Sequence, residues 1–124
     1  MTKKIVVIDD SRTARQQVFN ALIGTAYELI EAVDGNDGLR KIALHEDAAL
    51  VICDVNMPNM NGLDMLTALR SSQPSARMPI IMLTTEAQPD LLRRAKEAGA
   101  KGWIVKPFKP DLFLAAVRKL LGDA

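Results

Sequence analysis

The chain has 124 residues, 48% of them hydrophobic and 25% charged, which suits one globular domain and leaves no room for a second. Sixteen Lys plus Arg against fifteen Asp plus Glu give a formal net charge of +1, which excludes a nucleic-acid binder held by its overall field. A lone cysteine, Cys53, excludes an internal disulfide, and no apolar run approaches the roughly 18–20 residues that span a bilayer. With no signal peptide at the start, a cytoplasmic protein without membrane insertion is expected.

Ile5-Val6-Val7-Ile8 is an aliphatic, β-branched run that stops at Asp9-Asp10 and predicts a buried strand. Ser11 is placed to cap a helix with Ala14, Val18, Ala21 and Leu22 on one face and Gly24 as its stop. Tyr27 to Val33 predicts a second strand, interrupted by Glu28 and Glu31, and Asp34-Gly35 turns the chain into a helix carrying Leu39, Ile42 and Ala43. Leu50 to Cys53 is the third strand and ends at Asp54. After a Pro- and Asn-rich loop over 57–62, Leu63, Leu66 and Leu69 mark the third helix. Pro79 to Leu83 predicts strand four, ending at Thr84-Thr85, and the helix after Pro89 has Leu91, Leu92, Ala95 and Ala98 on one face. Gly102 to Val105 is strand five, ending at Lys106-Pro107. The last helix starts near Pro110 and carries Leu112, Ala116 and Leu120 inward.

Strands alternating with helices predict a parallel sheet covered on both faces, with ligands outside the carboxyl ends of the strands. Those ends bring Asp9 and Asp10, Asp54, Thr84 and Lys106 to one rim. Clustered carboxylates repel, and a hard divalent cation relieves them. Mg²⁺ suits the set because it takes few protein ligands and commonly shares a phosphate oxygen. A lysine opposite the acids can neutralise an arriving phosphoryl group, and a threonine can donate a hydrogen bond to it. Asp54, alone at its strand end, is the candidate nucleophile for an acyl phosphate, and the Asp9-Asp10 pair suits metal binding. Taken singly, each of these groups also reads as a helix cap or a loop ion pair; their joint occurrence at four strand ends points to a site.

The segments Val-Ile-Asp-Asp-Ser at 7–11, Cys-Asp-Val-Asn-Met-Pro-Asn-Met-Asn-Gly-Leu at 53–63, Leu-Thr-Thr-Glu at 83–86 and Gly-Trp-Ile-Val-Lys-Pro-Phe at 102–108 carry a resemblance. In order and spacing the chain resembles the receiver domains of two-component response regulators, and among them the stand-alone CheY-like chemotaxis proteins. The resemblance implies a flavodoxin-like doubly wound (βα)5 fold with strand order 2-1-3-4-5, formed by residues 1–124 as a single receiver domain. It implies that Asp54 accepts phosphate from a CheA-like sensor histidine kinase or a small phosphodonor, with Mg²⁺, or Mn²⁺ in its place. Asp10 and Asp54 would ligate the metal directly, Asp9 through water and Asn56 through its backbone carbonyl.

By the same resemblance Lys106 pairs with a phosphoryl oxygen, Thr84 moves to hydrogen-bond the phosphate, and Trp103 turns inward with it, where Tyr or Phe is the more familiar occupant. The Lys106-Pro107 bond is expected to be cis. Asn56 and Glu86 are expected to tune hydrolysis of a phosphate that lasts seconds to minutes, with a phosphatase as a further partner. The implied target is a flagellar motor switch component, bound by a monomer through helix four, strand five and helix five. A phosphorelay shuttle or phosphate sink is the alternative within the class. Outside it stand an aspartyl-nucleophile phosphatase, which wants an acid where Asn56 lies, and a flavin carrier, whose phosphate loop Asp9-Asp10 would repel. Cys53, His45, Met57 and Met60 read as packing or surface residues, and Arg93, Arg94 and Lys96 as a solvated basic face.

Overall fold

The computed structural model describes residues 2–58, 60–73, 78–85 and 88–123. Along the chain run β1 (Lys4–Ile8), α1 (Arg12–Ala21), β2 (Glu28–Ala32), α2 (Gly35–Leu44), β3 (Leu50–Asp54), α3 (Gly62–Ser72), β4 (Ile80–Thr84), α4 (Pro89–Glu97), β5 (Gly102–Val105) and α5 (Pro110–Leu121). The strands form one parallel sheet in the order β2-β1-β3-β4-β5. This is the doubly wound (βα)5 architecture that the alternating pattern predicts.

Burial follows the place of each strand in the sheet. β3 and β4 are buried at every residue, and β1 at all but Lys4. The edge strands β2 and β5 are only partly covered, which explains why Glu28, Glu31 and Trp103 are tolerated in them. The period of two divides each central strand between two cores. Val6, Ile8, Val51, Cys53, Ile80 and Met82 pack with α2, α3 and α4 residues such as Ile42, Leu66 and Ala95. Ile5, Val7, Leu50, Ile52, Ile81 and Leu83 pack with Val18 and Leu22 on one side and Phe113 and Val117 of α5 on the other. No helix among the described residues is long and apolar enough to cross a membrane.

The first three helices begin on side-chain caps: Ser11 Oγ accepts from the Ala14 amide, Asp34 Oδ1 from Asp37 and Asn61 Oδ1 from Asp64. α4 and α5 start instead on Pro89 and Pro110.

The expected inward face of α5 is one residue out of phase. Leu112 is 62% exposed and Leu120 38%, whereas Phe113 and Val117 are buried. The aromatic ring sets the phase: Phe113 stacks on Phe108 with ring centroids 4.5 Å apart, and the larger apolar area wins the interior. In α2, Ala43 faces out because Gly35 and Gly38 take the buried stripe. A Cβ at Gly38 would come within 2.5 Å of Ile8 Cδ1. Strand two is also shorter than expected. Tyr27 lies outside it and donates its hydroxyl to Asp123, while the Val33 amide leaves the ladder for the Asp37 carboxylate.

Candidate functional site

The carboxyl ends of β1, β3 and β5 meet where the apolar runs stop. Asp9 continues β1 by one residue, its amide donating to the Ala32 carbonyl at 3.1 Å. Asp54 is the last residue of β3, and Lys106 follows β5 with its amide on the Thr84 carbonyl at 2.8 Å. From there the Lys106 ammonium donates to Asp9 Oδ2 at 2.9 Å and to Asp54 Oδ1 at 3.1 Å. The other Asp9 oxygen, Oδ1, accepts from the Ser11 amide at 2.9 Å. Asp9 and Asp54 are buried and Asp10 is exposed, yet each offers an oxygen within 4.8 Å of the others.

Thr84 ends β4 and is buried, and Asn56 stands exposed two residues beyond Asp54. Trp103, on the edge strand, is 39% exposed and lines a surface hollow with Lys96 and Lys101. The Lys106-Pro107 peptide bond is cis. Glu86 lies outside the described residues. Cys53 is buried, and burial pushes its thiol far above the usual range, so it is no nucleophile. Met57 and Met60 pack against the core beneath the rim. Sequence reasoning passed over Arg15, whose guanidinium donates to the Asp9 carbonyl oxygen at 2.6 Å. The signal for it is a charged residue on the row that runs from Ser11 through Val18 to Leu22, the helix face toward the sheet.

Charge at this rim is unbalanced. Burial raises the Asp54 carboxyl above its ordinary value, the charge of Asp9 raises it further, and Lys106 only partly offsets them. Burial pulls the Lys106 ammonium down, but its hydrogen bond to Asp9 and the charges of Asp54 and Asp9 leave it above the usual lysine range. Three acids around one shared lysine leave a surplus of two negative charges, and two like charges about 4 Å apart repel by about 4 kcal/mol at an effective dielectric of about 20. An all-oxygen donor set with surplus negative charge fits a small hard cation, with Asp9, Asp10 and Asp54 as the residues that hold it.

The direction of the Asp54 shift has a sign that stability measurements read. A carboxyl raised in the folded state is neutral in both states below about pH 4; above that its ionisation destabilises the fold, fully so once the pH passes the folded value. Asp54→Asn is therefore expected to stabilise the cation-free protein at pH 7, with the gain vanishing near pH 3. Urea unfolding at the two pH values checks this; an Asn variant less stable than wild type at pH 7 contradicts it.

A parallel sheet with the order 2-1-3-4-5, acids at the ends of two central strands and a lysine reaching across from the edge define a phosphoryl-accepting signalling module. Residues 5–118 match the family profile of the response regulator receiver domain. The chain belongs to that family, and the cluster of Asp9, Asp10 and Asp54 is where it takes phosphate, acting on itself and with Mg²⁺ as the cation.

Chemotaxis protein CheY1 of Helicobacter pylori is 38% identical over 120 residues, 96% of this chain and 97% of that protein. The Chemotaxis protein CheY homolog of Campylobacter jejuni is 36% identical over 96% of this chain and 92% of its own. Among solved structures, Vibrio cholerae chemotaxis protein CheY4 superposes with a TM-score of 0.88 at 37% identity, covering 97% of this chain and 99% of that one.

Proposed function

We propose that Asp54 is the phosphoacceptor and that residues 1–124 act as a single CheY-like receiver carrying a chemotaxis signal from a sensor histidine kinase to a flagellar motor switch component. One observation carries the assignment: the Lys106 ammonium is hydrogen-bonded to Asp9 and Asp54 together, so the carboxylate that ends β3 already faces a cation suited to a phosphoryl oxygen. An Asp54 oxygen attacks phosphorus and a new P–O bond forms. The P–N bond to the donor histidine breaks, and its electron pair stays on the imidazole nitrogen. In hydrolysis water attacks the same phosphorus, the bond to Asp54 breaks, and inorganic phosphate leaves.

Lys106 stabilises charge on the phosphoryl oxygens and Thr84 donates its hydroxyl to one of them. Asp10 and Asp54, with the Asn56 carbonyl and Asp9 beside them, would hold Mg²⁺ or Mn²⁺. When bound, the cation neutralises the acids and the incoming phosphoryl group. Asn56 and Glu86 act on the attacking water, and a phosphatase partner shortens the signal further. The full-length similarity to named chemotaxis proteins supports the target class. The output surface is the monomer's α4-β5-α5 face, where a hollow of about 350 Å³ is lined by Trp103, Val105, Phe108 and Leu112.

The test is capture from a flagellated-cell lysate by immobilised protein, with and without acetyl phosphate and Mg²⁺. Phosphorylated wild type is expected to retain a flagellar switch protein that Asp54→Ala does not, and the same additions change Trp103 fluorescence in wild type only. Equal capture by both forms sinks the switching role; capture of a histidine phosphotransfer protein instead replaces chemotaxis with a phosphorelay.

A further inference from the structure

We infer that Arg15 is the positioning residue that sets the Asp9–Asp10 acid pair for the cation, and that Glu31 on β2 holds Arg15 in place for this. The inference rests on the reading of the rim as a divalent-cation site. Neighbouring residues of an extended strand point to opposite faces, yet Asp9 and Asp10 both bring an oxygen to one cluster. The chain must bend between them. One end of that bend is fixed by the Ser11 amide on Asp9 Oδ1. The peptide plane joining the two acids is fixed by Arg15, whose Nη1 donates to the Asp9 carbonyl oxygen at 2.6 Å. Rotation of this plane would swing the Asp10 carboxylate away from Asp54.

Arg15 is itself held. Its side chain is only 11% exposed, and its Nε donates to Glu31 Oε1 at 2.9 Å, so the guanidinium ties α1 to the end of β1 and to β2. The Glu31 strand is anchored in turn, because Lys41 donates to the Glu31 carbonyl oxygen at 2.7 Å. The planar fork matters here: Nε and Nη1 serve two acceptors in fixed relative directions, which a lysine cannot reproduce.

Position and charge make opposite predictions for Arg15. A cation near a metal site weakens the metal by repulsion, so removing its charge alone would tighten binding. Glu31 pairs with the guanidinium and cancels most of that field, which leaves geometry as the larger effect. Outer partners that orient ligands are typically worth about 10–100-fold in metal affinity.

Titration calorimetry with Mg²⁺ alone tests this on wild type, Arg15→Lys, Arg15→Gln, Glu31→Gln and the double variant Arg15→Gln/Glu31→Gln. Both Arg15 variants are expected to bind Mg²⁺ about tenfold more weakly, and Glu31→Gln about threefold, with no further loss in the double variant. In acetyl phosphate labelling, half-saturating Mg²⁺ rises by the same factor, while the rate at saturating Mg²⁺ stays within about twofold of wild type. Unchanged affinity in Arg15→Gln and Glu31→Gln overturns the inference, as does tighter binding in Arg15→Gln with Arg15→Lys unaltered. Should Arg15→Gln fail to fold by circular dichroism, Arg15→Lys and Glu31→Gln decide, the Glu31 side chain being 62% exposed. A wild type that binds no Mg²⁺ removes the cation-site reading and this inference together; a wild type that binds it beside indifferent variants removes this inference alone.

Discussion

Asp54→Asn is expected to take up no phosphoryl group from acetyl phosphate and Mg²⁺, while wild type is expected to gain the mass of one, as read by intact-protein mass spectrometry. The amide keeps the shape of the carboxylate and can still accept from Lys106, but it lacks the anionic oxygen that the proposed mechanism joins to phosphorus. Loss of a nucleophile lowers the rate by a factor of about 10⁴ or more, whereas Lys106→Met, which removes only charge stabilisation, is expected to lower it by about 10²–10³. Misfolding is not the expected cause of the Asn result, because relief of acid crowding is expected to leave that variant more stable than wild type at neutral pH, which the urea unfolding checks. Labelling of Asp54→Asn at the wild-type rate would move the acceptor to Asp9 or Asp10 and dismantle the mechanism.

The second large effect lies beneath the site. Gly62→Ala is expected to destabilise the fold by about 3 kcal/mol and to slow phosphoryl uptake as well. The added Cβ would fall well inside contact distance of the Asp54 carbonyl oxygen, 2.8 Å from Met82 Cε and 3.0 Å from Val55 Cα. Two of these are backbone atoms of the segment that carries Asp54, so movement of the Met82 side chain does not relieve the clash. The Gly62 amide is also tied to the Val55 carbonyl at 2.8 Å, which prevents α3 from backing off. Gly102→Ala is the control, since a Cβ there meets nothing within 4 Å. Urea unfolding of the two variants separates them, and equal stability would show that the β3–α3 connection can relax.

Legibility in the sequence followed physical contrast. An apolar run that halts at an acid stands out, so β1, β3 and the residues Asp9, Asp10 and Asp54 could be read from the chain, as could Lys106 after β5. The phase of α5 was hidden because residues 112–117, Leu-Phe-Leu-Ala-Ala-Val, are apolar on every side. Only the tertiary stack of Phe113 on Phe108 chooses among them. Arg15 was hidden for another reason: it acts on a backbone carbonyl, and every residue has one of those, so composition and spacing carry no trace of the bond.

The capped helices have one more chemical consequence. Many parallel α/β proteins meet nucleotide phosphates with the open amino ends of their helices. Here Ser11, Asp34 and Asn61 each place an oxygen over the first turn of α1, α2 and α3, and Asp34 brings a formal negative charge. The backbone welcome for a diffusing anion is thereby withdrawn along much of the rim, and the anion that belongs there is the one bonded to the protein.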